Sequence, residues 1–195
     1  MKSLQKIERK TYYRQAGFRF GRNGSGNPEV LNQILSKTNI PVTIMESHIF
    51  GDRPISSTRI RDCLLNSGDL KSVNYMLGRN YCLAGVVVCG AGVGKTLGYP
   101  TANIFISSKH KLIPANGVYG CIAKVRGKKY IAAVSIGNRP TFDDDHRSIE
   151  AHLLDYDQDC YNEEIEVEFV TMVRGQIRFE NKDELISQIA ADTKR

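Results

Sequence analysis

The chain of 195 residues lacks any apolar run approaching the roughly 18 to 20 residues of a membrane-spanning helix. Its basic start, Met1 to Lys10, also lacks the apolar core of a secretory signal, so a soluble cytoplasmic protein is expected. Paired cysteines are missing as well. The five that occur, Cys63, Cys82, Cys89, Cys121 and Cys160, are odd in number and scattered, with no C-x-x-C pair. That supports neither a disulfide frame nor a zinc site and reads as reduced thiols, mostly small buried hydrophobes. A basic excess is absent from most of the chain too: residues 79–195 hold 15 Lys+Arg and 15 Asp+Glu, whereas residues 1–78 hold 12 against 6 and carry the whole net charge of +6. The charge break is read as a boundary between an N-terminal segment, 1–78, and a domain, 79–195, a length that suits one full domain and part of another.

What is present begins with Gly90 to Asn103, GAGVGKTLGYPTAN, after the apolar run Gly85-Val86-Val87-Val88. Gly94-Lys95-Thr96 suggests a P-loop, whose backbone N–H groups and lysine cradle phosphates. The full motif needs glycine where Cys89 stands, and it opens directly into a helix. Pro100 follows Thr96 by four residues and pushes Tyr99 towards extended geometry, so the loop is read as running from strand to strand. On the extended segment that follows, Thr101 and Asn103 alternate with Ala102 and share a face. A hydroxyl and an amide oxygen are hard ligands that suit Mg²⁺ carrying waters and nucleotide phosphates.

Helical spacing at Val30, Leu31, Ile34 and Leu35 predicts a helix over Asn27 to Lys37, and Pro41 to Met45 reads as a strand. Ser56 or Ser57 can cap a helix through Leu65, and a second helix carrying Leu70, Val73, Met76 and Leu77 ends at Gly78. Six β-rich runs follow: Tyr81 to Val88, Thr101 to Ile106, Val118 to Val125, Tyr130 to Ile136, Ile149 to Leu154 and Ile165 to Val173. Asn181 with Glu184 reads as a capping pair for a last helix whose stripe is Leu185, Ile186, Ile189 and Ala190. Six antiparallel strands with a closing helix favour a small barrel, because closure removes sheet edges, although periodicity alone leaves a sandwich open.

Taken in order, GAGVGK-x-LGYPTAN, Gly117-Val118-Tyr119, Ile136 to Phe142 (IGNRPTF) and Glu150 to Asp155 (EAHLLD) resemble the riboflavin kinase module of bacterial bifunctional riboflavin kinase/FAD synthetase. The resemblance runs from about Leu77 to the C-terminus. It implies a mainly β fold, a six-stranded Greek-key barrel with a C-terminal helix, and the conversion of ATP and riboflavin to FMN and ADP. It assigns Glu150 as catalytic base and Thr101 and Asn103 as the Mg²⁺ ligands. Gly90, Gly92, Gly94 and Lys95 fall on the phosphate side of ATP, Gly117, Val118 and Tyr119 on the adenine side, and Arg174 and Gln176 on a flap over the flavin. Lys95 stands where the family often has arginine, and Gln176 where it commonly has glutamate.

Phe18 to Asn27 (FRFGRNGSGN) and Ile55 to Arg61 (ISSTRIR) are similar to the closing motifs of the FMN adenylyltransferase domain that precedes the kinase in those enzymes. This implies a partial α/β nucleotidyltransferase remnant over 1–78, with Ser57, Thr58 and Arg59 as a remnant anion site at a helix start. The H-x-G-H type motif of that family's first half has no counterpart around His48, His110, His146 or His152, so FAD synthetase activity is not expected. Partners are then riboflavin and FMN, with no nucleic acid and no membrane. The alternative is a flavin- or nucleotide-binding regulatory module whose basic segment binds RNA or a partner, since Tyr12, Tyr13, Phe18 and Phe20 interleave with Arg14, Arg19 and Arg22.

Overall fold

The computed structural model describes residues 12–15, 17–37, 42–90, 94, 98–138, 147–177, 184, 187–188 and 191–192. The chain forms two compact units, Met1–Ile55 and Ser56–Arg195. Among the described residues no helix is long and apolar enough to cross a membrane.

In the first unit, β1 (Tyr12–Gln15) and β2 (Val42–Met45) pair in parallel, Tyr12 opposite Val42 and Gln15 opposite Met45. Parallel neighbours need a crossover, and α1 (Pro28–Ser36) lies between them in sequence. Asn27 caps α1 by accepting from the Val30 amide at 2.8 Å, with Pro28 at the first helical position, where its missing N–H costs nothing. A small hairpin of β3 (Ile49–Phe50) and β4 (Arg53–Pro54) completes the described part.

The second unit opens with α2 (Ser57–Asp62), capped by Ser56, whose hydroxyl accepts from the Arg59 amide at 3.2 Å. Instead of continuing as an α-helix to Leu65, the backbone widens into a π-helical turn over Cys63–Ser67 and stops at Gly68 in the left-handed region. α3 (Leu70–Leu77) is capped by Asp69 and closed by left-handed Gly78. Leu64, Leu70 and Val73 are buried in one core with the strands that follow.

Those strands are β5 (Tyr81–Val88), β6 (Ala102–Phe105), β7 (Gly117–Val125), β8 (Lys128–Asn138), β9 (Arg147–Leu153) and β10 (Glu164–Gly175). They close into an antiparallel barrel in the order β10-β5-β6-β9-β8-β7. The meander β7-β8-β9 is flanked by β6 beside β9, so the chain leaves β6 by a Greek-key crossing. Alternation turns Leu83, Val87, Ile104, Val134, Val167 and Phe169 inward, and the Phe169 ring meets Tyr119 edge to face at 5.4 Å. Beyond the barrel, Glu184, Ser187, Gln188, Ala191 and Asp192 are helical. Asn181 and the stripe of Leu185, Ile186, Ile189 and Ala190 lie outside the described residues.

Asn74 fastens α3 to the barrel. Its Nδ2 donates to the Phe169 carbonyl at 2.9 Å and to Asn80 Oδ1 at 3.2 Å, and its Oδ1 accepts from the Tyr81 amide at 2.8 Å. Replacing Asn74 with alanine strands half-buried backbone groups on β5 and β10. Urea denaturation should show a loss of about 1–3 kcal/mol; an unchanged midpoint would mean that water replaces the amide at no cost.

Candidate active site

The register of the barrel brings the predicted residues together. On β6 and β9, Ala102 lies opposite Ala151 and Asn103 opposite Glu150. Ile149, Ala151 and Leu153 point into the core. Alternation therefore sets Glu150 and His152 on the outer face of β9, with Asn103 beside Glu150. Thr101 Oγ1 donates to Glu150 Oε2 at 3.4 Å. Asn103 is 7% exposed, an amide held within the wall of the barrel.

The glycines explain how the preceding loop approaches this group so closely. A Cβ on Gly90 would lie 2.0 Å from Asn103 Nδ2, so only glycine lets the backbone rest on that amide. At Gly94 a Cβ would meet the Tyr99 carbonyl at 2.4 Å and Thr101 Oγ1 at 2.9 Å. Gly94 has helical backbone, and its carbonyl accepts from the Tyr99 amide at 2.9 Å, so the loop folds back onto Thr101. Gly92 and Lys95 lie outside the described residues. His152 Nδ1 is 2.9 Å from the Pro100 carbonyl and its ring packs edge-on against Tyr99, which fixes the entry of the Thr101 to Asn103 segment.

A cavity of about 370 Å³ opens beside Thr101. Its apolar side is Val87, Ala102, Ala151 and Leu153, and its outer wall is the loop from Tyr156 to Tyr161. No sequence signal marked this loop as part of a site, because it is polar and irregular and gains meaning only when folded beside β5 and β6.

The other predicted residues lie elsewhere. Val118 and Tyr119 have buried side chains, and the Tyr119 hydroxyl donates to the Ala115 carbonyl, with burial pushing its pKa up to about 12. Only their backbone is left to face a ligand. Gly117 packs under Met172 and the Arg174 carbonyl, where a Cβ would come within 2.6 and 2.7 Å. Arg174 binds Asp192 through Nη2 at 2.8 Å and Nε at 2.9 Å, a largely buried pair joining β10 to the terminal helical residues. Gln176 is exposed, with its amide over Gly137. Ser57 and Thr58 are exposed in the first turn of α2, and Arg59 supplies the amide that Ser56 caps.

Arg147 was not singled out by any motif. It begins β9, where Nε donates to Asn116 Oδ1 at 2.8 Å, Nη1 to the Ile113 carbonyl at 3.1 Å and Nη2 to the Pro114 carbonyl. Burial lowers its pKa. It thus fixes the segment that enters β7.

Comparison with known proteins places the chain in a family. The family model for riboflavin kinase (Flavokinase) matches residues 77–195. The bifunctional riboflavin kinase/FMN adenylyltransferase of Bacillus subtilis (strain 168) is 34% identical over 178 residues, covering 90% of this chain and 55% of that protein. The enzyme of the same description from Buchnera aphidicola subsp. Schizaphis graminum is 37% identical over 180 residues, with coverage of 90% and 56%. A Streptococcus pneumoniae crystal structure described as a macrolide-efflux protein superposes with a TM-score of 0.81 at 32% identity, over 92% of this chain and 57% of that one. The chain therefore spans a little over half the length of the curated relatives it matches. With the family model matching residues 77–195, the span that holds the whole barrel, the chain belongs to the riboflavin kinase family.

Proposed function

We propose that this chain transfers the γ-phosphoryl group of ATP to the ribityl 5′-hydroxyl of riboflavin, giving FMN and ADP. The observation that carries the reading is the placement of the Glu150 carboxylate 3.4 Å from Thr101 Oγ1 and directly opposite Asn103, under a loop whose glycines rest on both. Thr101 and Asn103 offer neutral hard oxygens. Among the described residues no three His, Cys, Asp or Glu gather to hold a metal by themselves. A divalent ion at Thr101 and Asn103 would lean on waters and phosphate oxygens, which is the habit of Mg²⁺. When bound it would draw charge from the phosphates.

The residues of the chain supply the rest. Glu150 accepts the proton of the attacking hydroxyl, and its register position keeps it beside Thr101. Backbone around Gly90 and Gly94, with Gly92 and Lys95 of the same loop, receives the negative charge. The cavity beside Thr101 takes the nucleoside, a volume within the usual range for small-ligand sites. Its carboxylates, Asp157 and Asp159, repel phosphate and suit ribose hydroxyls, so the phosphates are directed towards Thr101. Arg174 and Gln176 stand at the end of β10 as the flavin-side residues of this reading, and Ser57, Thr58 and Arg59 as its remnant anion site.

Incubation with riboflavin, ATP and Mg²⁺ should yield FMN by chromatography. A chain that binds flavin yet makes no FMN would replace this reading with that of a binding module.

A further inference from the structure

The β7–β8 hairpin turns on Arg126 and Gly127, both left-handed, with φ of +49° and +77°. Two-residue turns of this hand suit the strand twist and favour Gly, Asn or Asp at the first position, because a Cβ crowds the carbonyl there and only Asn and Asp offset that cost by local hydrogen bonds. An arginine in that backbone is an outlier of the sort that accompanies a positional task. Four of its five N–H donors are engaged. Nε and Nη2 donate to Glu163 Oε1 at 3.1 and 2.9 Å, Nη1 to Gln158 Oε1 at 3.3 Å, and Nη2 also to the Asp159 carbonyl at 3.1 Å.

Gln158 and Asp159 belong to the outer wall of the cavity beside Thr101. Just past the wall, the Asn162 amide donates to the Val87 carbonyl at 2.8 Å and the Val87 amide to the Glu163 carbonyl at 3.0 Å, which secures the loop's far end to β5. Arg126 grips the anchored Glu163 and, through Gln158 and Asp159, reaches the stretch before that point. The guanidinium and Glu163 are 47% and 38% exposed, and pairs this open add little to global stability. The ladder from Gly117–Ile136 to Val125–Lys128 holds the hairpin independently of the side chain. The tether therefore acts on the loop and not on the barrel.

We infer that Arg126 is a positioning residue that sets the wall of the nucleotide cavity from the far side of the β7–β8 turn. This rests on reading the cavity as the nucleotide site. The decisive variant is Arg126→Gly, which removes the tether while giving the left-handed backbone the residue it favours, so the barrel should fold as well as before. Titration calorimetry with ADP and Mg²⁺ should show affinity about fivefold weaker, and KM for ATP should rise to match, because wall residues misplaced by a fraction of an ångström lose binding geometry. Both kcat and KM for riboflavin should stay within about twofold, since Glu150, Thr101 and Asn103 are untouched. Arg126→Lys should fall between, as lysine can meet Glu163 but cannot fork to Gln158 and Asp159. Unchanged ADP affinity in Arg126→Gly would overturn the inference. Wild-type protein that binds ADP without phosphorylating riboflavin would defeat the kinase reading and still let the ADP comparison decide the tether. No ADP binding by the wild type would overturn both.

Discussion

Replacing Glu150 with glutamine should lower kcat for FMN formation by about a thousandfold, in line with the loss of the proposed general base, while riboflavin and ATP still bind. Glutamine has the same shape, and its amide oxygen can go on accepting from Thr101 Oγ1, so the β6–β9 register is preserved. It has no lone pair basic enough to take the hydroxyl proton. Glu150 also points away from the core, between the inward Ile149 and Ala151, so the change leaves barrel packing alone. Single-turnover assays give the chemical step, and quenching of flavin fluorescence gives binding. Wild-type turnover in Glu150→Gln would remove Glu150 from the mechanism.

Gly90→Ala should also be strongly damaging, although alanine is the smallest change available. Its methyl would lie 2.0 Å from Asn103 Nδ2 and 2.5 Å from Asn103 Cγ, far inside contact distance. Asn103 is 7% exposed, between the buried Ala102 and Ile104, so it has little room to turn aside. The loop must lift or the amide must shift by an ångström or so, and a displacement of that size can cost about a hundredfold in rate. Far-UV circular dichroism should show the barrel intact, and raising Mg²⁺ should recover part of the loss, since the amide oxygen is a proposed metal ligand. Full activity at low Mg²⁺ in Gly90→Ala would show that the loop does not rest on Asn103 in the working enzyme.

Much of this site was legible before folding. The six strand runs have period-two alternation and β-branched residues, and the structure places each within about two residues of its sequence bounds, as such signals allow. The same alternation put Thr101 with Asn103 and Glu150 with His152, and the β6–β9 register then joined the two pairs. What stayed hidden depends on partners far away in the chain. Tyr12–Gln15 carries no alternating pattern, and its partner is Val42–Met45, across a helix. The π-helical turn at Cys63–Ser67 is a slip in hydrogen bonding that the apolar spacing does not encode. Arg126 and Arg147 find acceptors more than 30 residues away. Val118 and Tyr119 carried a motif, yet a motif does not say which face of a strand looks inward, and both proved buried. The break in charge falls at residue 78, beside the start of the family match at residue 77, and the compact units part at Ile55–Ser56.

β6 is the least stitched member of the barrel. It meets β5 at Val86, Val87 and Val88, and β9 at two positions, Ala102–Ala151 and Asn103–Glu150. β7, by contrast, is laddered to β8 from Gly117 to Val125. The seam that completes the ring therefore includes Asn103 and Glu150, two of the residues proposed to do the chemistry. An injury that slackens β6, wherever it originates, would reach the proposed reactive pair first, so on that reading the protein should fail as a catalyst well before it fails as a fold.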